Sequence, residues 1–227
     1  MLPAIGTQER VDAMQRGRKP KAEVLNLSEV YDFLFGPPDA VREPKIADVF
    51  LPIVPADWSK LPALKLRITP ADFAYDYFIM GLPLVSARLR TVLALEPDRV
   101  RYLDVDCFEC SAAVQAMDYK VLHVLTYANP LNRELTGPCR FIDVKTPAGP
   151  TFAWVRPPIN PNDPPPRIAW RADFAAPAPL FQVPNSAWTL ATDELAERVM
   201  RAGFSDVAFY EHTKDGTQAA LITRELI

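Results

Sequence analysis

Twenty-four prolines against only eight glycines limit this chain more than any other feature it has. Proline lacks the amide donor that helix interiors and central strands require, so long irregular segments must carry many of them. The prolines gather at Gly36-Pro37-Pro38, across residues 156–167 and at Ala176-Pro177-Ala178-Pro179. The middle cluster reads as an extended, polyproline-like surface insertion rather than as a ligand for a proline-reading module. Around these interruptions, 227 residues with 49% apolar and 23% charged side chains supply enough material for a core, and the chain is expected to fold. The domain reading is an N-terminal segment or small lobe, 1–72, packed on a core domain, 73–227, with the proline-rich insertion at 156–167.

Regular structure shows in the periodicity. Residues 23–35 suggest a short strand and a helical turn. In 83–95, Ser86 can cap a helix whose Leu89, Val92 and Leu93 share a face, with Pro97 ending it. Residues 99–106 then alternate as a half-buried strand should. The same grammar returns near the C-terminus. Thr192 caps a helix, Asp193 and Glu194 suit its positive end, Leu195, Val199 and Met200 share a face, Gly203 stops it, and a strand over 206–210 follows. Further strands are expected at 119–127, 139–144 and 151–155. Few helices and no steady strand–helix alternation predict an α+β fold with a mostly antiparallel or mixed sheet, two cap-helix-strand units and long proline-rich loops.

Charge and composition exclude several classes of function. A net charge of -3 with a pI near 5.5 gives no general attraction to phosphate backbones or anionic lipid, so neither nucleic acid nor membrane is an expected direct partner. Seven charged residues among the first 21 leave no apolar core for a signal peptide, and no stretch of about 18 apolar residues occurs. Three cysteines, an odd count, fit a reducing compartment better than a disulfide framework. A cytoplasmic location is expected.

Candidate chemistry is sparse. Cys107-Phe-Glu-Cys110 could hold a metal or exchange a disulfide, but a structural zinc wants four ligands, and only Cys139, His123 and His212 remain as soft partners. A redox pair wants a helix N-terminus after a strand in a thioredoxin-like unit, a context not read here, so incidental cysteines are expected. His123 reads as a core histidine in an apolar strand, and His212 as a solvated one before a turn. There is no Gly-x-Ser-x-Gly elbow and no glycine-rich phosphate loop. Asp104 and Asp106 share one strand face, which admits three readings: a solvated surface, an acidic docking patch, or a divalent-cation site. A hydrolase or transferase using Asp104, Asp106 and His123, and a non-enzymatic adaptor, are the alternatives to a binding protein. No cofactor and no metal are expected.

The segment Pro83-Leu84-Val85-Ser86-Ala87-Arg88-Leu89 followed by a strand, and Leu180-Phe181-Gln182-Val183 leading to the helix at 192–203 and the strand at 206–210, carry a resemblance. The chain resembles, over roughly residues 73–212, a bacterial immunity-protein family first described in a myxobacterial toxin system and formerly a domain of unknown function. The resemblance implies a non-enzymatic protein that neutralises a cognate toxin encoded nearby, with no catalytic residue, metal or cofactor. On that reading the docking face is expected at Tyr102, Asp104 and Asp106, alternate residues of one strand, with Glu109 close by.

Overall fold

Period-two alternation along residues 100–107 builds the strand around which the rest is assembled. The computed structural model describes residues 22–35, 58–70, 73–137, 140–146, 149–155, 169–184, 189–204, 206–207, 209–211 and 224–226. Six strands form the main sheet: β1 (Ala22–Val24), β2 (Leu64–Ile68), β3 (Tyr77–Ile79), β4 (Pro83–Val85), β5 (Val100–Cys107) and β6 (Lys120–Val124). Their order is β1-β2-β5-β6-β4-β3. Every pairing is antiparallel except β2 with β5, which is parallel, so the sheet is mixed and the fold is α+β. Strands from both sides of residue 72 share this sheet.

Each face of the sheet carries its own core, because successive side chains of a strand point to opposite sides. Leu64, Leu66 and Ile68 of β2, Leu84 of β4, Leu103 of β5 and Val121 of β6 line the first face. Helix α1 (Leu27–Phe35) covers it with Val30 and Leu34, and α3 (Ala112–Ala116) adds Val114. Tyr77, Val85, Val100, Leu122 and Val124 line the second face. Helix α2 (Ala87–Leu93) lays Leu89 and Leu93 on it, and α4 (Asp193–Arg201) lays Leu195 and Val199 beside them. Burying each of these side chains contributes about 1.5–3 kcal/mol, which far exceeds the intrinsic helix preference of such short segments.

The caps form as the sequence predicts. Ser86 Oγ accepts from the Leu89 amide at 3.1 Å, and Thr192 Oγ1 from that of Leu195 at 3.4 Å. Helix α2 stops at Ala94, whose left-handed backbone (φ 42) ends the spiral before Pro97 is reached. Pro83–Val85, which the sequence reading placed within the helical stretch, is instead strand β4. Its Leu84 and Val85 pair with Val121 and Lys120, and the Ser86 cap marks the change of geometry. A third capped unit escaped the sequence reading: Ser111 caps α3, which feeds β6.

Two smaller sheets complete the described structure. β7 (Arg140–Thr146) and β8 (Gly149–Val155) form a hairpin, and β9 (Leu180–Gln182), β10 (Thr189–Ala191), β11 (Phe209–Glu211) and β12 (Arg224–Leu226) form a sheet ordered β11-β12-β10-β9. β9 joins the main body through Gln182, whose amide donates to Thr126 O and whose carbonyl accepts from Ala128 N. The insertion at 156–167, the prolines at 37–38, Cys139 and His212 lie outside the described residues. Among the described residues no helix is long and apolar enough to cross a membrane.

Candidate functional site

The four residues singled out from the sequence lie on or beside the second face of the main sheet, where α2 and α4 leave it open. Val100 and Tyr102 are packed under the helices, whereas Asp104 and Asp106, farther along the same face of β5, reach solvent. β5 lies between β2 and β6 in the strand order, with Asp104 in register with Lys120 of β6 and Asp106 in register with Lys65 of β2.

Tyr102 is tied to the core. It is half-buried, and its hydroxyl oxygen is buried with no hydrogen-bond partner among the described residues. Burial pushes the phenol pKa up, and the Arg90 guanidinium, 5.8 Å from the ring centre, pulls the other way. Asp104 is open to solvent, with 82% of its side chain exposed.

The face is of mixed sign rather than acidic. Lys120 Nζ lies 2.6 Å from Asp104 Oδ1 and 3.8 Å from Asp118 Oδ1, and Arg90 pairs with Asp118. Lys65 is the register partner of Asp106 on β2. Arg67 reaches Glu23 at 2.7 Å and Glu109 at 2.9 Å, the latter an ion pair by distance without hydrogen-bond alignment at Nε. Exposed pairs of this kind contribute about 0–1 kcal/mol each, so they order the surface more than they stabilise the fold.

His123 does not join these carboxylates. On β6 it is in register with Arg101 of β5, and the alternation sends both to the first face, away from Asp104 and Asp106. Its ring sits 5.6 Å from Trp58, edge to face, and Arg101 stacks over the same indole at 4.8 Å. Burial, with the nearby Arg101 charge, lowers the imidazole pKa to about 4, and Nε2 is buried without a partner. Asp104, Asp106 and His123 therefore form no common catalytic set.

A second polar cluster, invisible in the sequence, lies at the start of α2. Asp206 accepts from the Asp76 and Tyr77 amides, Asp76 in turn accepts from Ser86 Oγ and from Arg88, and Arg88 continues to Ala202 O at 3.1 Å. Arg198 completes the exchange by donating to Leu93 O at 2.6 Å. Burial raises the Asp206 pKa, and the two amides it accepts from oppose that rise. Of this cluster only Ser86 announced itself, as a cap, because the contact between Asp76 and Asp206 spans 130 residues of chain. The arrangement fastens the C-terminal helix to the sheet.

Among the described residues no group of three or more His, Cys, Asp or Glu side chains is placed to hold a metal ion. Comparison with family models, curated proteins and solved structures finds no match to this chain.

Proposed function

We propose that the chain is a cytoplasmic immunity protein that neutralises a cognate bacterial toxin by direct one-to-one binding. The observation that carries this reading is the open half of the second sheet face. There Asp104, in register with Lys120 of β6, and Asp106, in register with Lys65 of β2, stand on one strand above a closed core, with Glu109 at the margin. Charges fixed on a sheet keep their geometry without ordering cost on binding, which suits partner discrimination and fast encounter more than chemistry. The interleaved Lys65, Arg67 and Lys120 select for a partner surface of matching alternation rather than for a uniformly basic cleft.

The test is titration of the full chain with the toxin encoded by the neighbouring gene, comparing parent with the double variant Asp104→Lys, Asp106→Lys. A stoichiometry of one is expected, with association slowed about tenfold in the variant, loss of protection in cells and a nearly unchanged melting temperature. Equal protection by parent and variant would place the docking face elsewhere. Failure of the parent to bind its neighbour's product would remove the immunity reading itself.

A further inference from the structure

The turn that ends β5 brings two free thiols together. Cys107 closes the strand, Phe108 and Glu109 make the turn, and Cys110 stands directly before Ser111, the cap of α3. The sequence reading expected the strand before this pair but no helix start after it, and the structure supplies both. Glu109 holds a left-handed backbone (φ 52), uncommon for a residue with a side chain, and its carboxylate is tied to Arg67. Cys110 Sγ donates toward Leu66 O at 3.4 Å and Phe108 O at 3.6 Å, and it stands near enough to Cys107 to raise the pKa of that thiol. Both cysteines are half-buried, so small reagents reach them while the backbone holds them in register.

We propose that Cys107 and Cys110 are a redox-active dithiol that closes into an intramolecular disulfide by exchange with a low-molecular-weight disulfide such as oxidised glutathione. The Cys110 thiolate attacks one glutathione sulfur, the S–S bond of the reagent breaks, and one glutathione leaves and takes up a proton. Cys107 then gives up its proton and attacks the Cys110 sulfur of the mixed disulfide, releasing the second glutathione. The protein loses two electrons and two protons, and the reagent becomes two glutathione thiols. Burial and the adjacent Cys110 thiol push the Cys107 pKa up to about 11, which disfavours its thiolate and gives the first attack to Cys110. The closed ring covalently fixes the turn that carries Phe108 and Glu109 beside Asp106.

The full chain is equilibrated in mixtures of reduced and oxidised glutathione, quenched with acid, alkylated and digested with trypsin. Cleavage after Arg101 and Lys120 isolates residues 102–120, which contain both thiols and exclude Cys139. The expected product is this peptide lighter by two hydrogens and unalkylated. Its disulfide-to-dithiol ratio should be about tenfold or more higher in the native chain than in the urea-unfolded chain, because the fold prepays the ordering of the turn. Cys107→Ser should accumulate glutathione on Cys110 faster than Cys110→Ser accumulates it on Cys107. A peptide that stays dithiol, glutathione trapped on the parent without ring closure, equal ratios in the folded and unfolded states, or the reverse order of glutathionylation in the two variants would each overturn the proposal.

Discussion

Protonation of His123 should be a measurable source of acid sensitivity. The imidazole is buried between the sheet and Trp58, has no partner at Nε2 and faces the Arg101 guanidinium, so charging it is opposed by lost solvation first and by like charge second. Its pKa falls from 6.5 to about 4 on folding. Because the folded state holds the proton less tightly, the unfolded state binds more protons in this window, and stability falls as the pH is lowered. The contribution is fully present above pH 6.5 and is lost progressively as the pH drops toward 4. A displacement of about 2.5 pH units, at about 1.4 kcal/mol each, corresponds to about 3 kcal/mol. Many carboxylates also titrate there, so the assay is a difference. Urea unfolding followed by tryptophan fluorescence is measured from pH 7.5 to 4.5 for the parent and for His123→Phe, which keeps a ring against Trp58 and cannot take a proton. The stability of the parent relative to the variant should fall by about 2–3 kcal/mol over that range. A difference that stays flat, or an imidazole resonance titrating near its ordinary pKa in the folded chain, would refute the buried, neutral assignment.

Other perturbations follow from the same geometry. Ser86→Ala should cost about 1–2 kcal/mol in chemical denaturation, more than Thr192→Ala at about 1 kcal/mol, because Ser86 also donates to Asp76; equal costs would mean that the Asp76 network adds nothing. Gly81→Ala should destabilise more than Gly203→Ala. Both glycines have positive φ, but a methyl group at Gly81 would lie 2.6 Å from Leu27 Cδ2, whereas the space at Gly203 is open. About 1 kcal/mol from the backbone alone is expected at Gly203, with a further cost at Gly81 visible in thermal melts.

Much of the local structure was legible in the chain, and much of the site was not. Ser86 and Thr192 announce their helices because a cap is a local contact three residues long, and the alternation along 100–106 announces β5 for the same reason. The parallel pairing of β2 with β5 has no such signature, since register between distant strands is set by what packs on the sheet. Leu64-Lys65-Leu66-Arg67-Ile68 does alternate, a readable signal within a stretch whose other periodicities are weak. At the site, alternation places Tyr102, Asp104 and Asp106 on one face, but it cannot say where the covering helices end. Tyr102 falls under them and the two aspartates do not. The interleaving cations come from β2, β6 and α2, so an acidic pattern along one strand became a mixed-charge surface in three dimensions.

The clasp between Asp206 and the amides of Asp76 and Tyr77 also has a consequence for synthesis. The first core draws on residues between Val30 and Val121 and can close once that stretch has left the ribosome. The second cannot, because Leu195 and Val199 emerge long after Val100, Leu122 and Val124, and the clasp itself spans 130 residues. During that interval the nascent chain carries a sheet with one face sealed and an apolar face covered by α2 but not yet by α4. That is the stage at which chaperone binding or association between neighbouring nascent chains competes with folding.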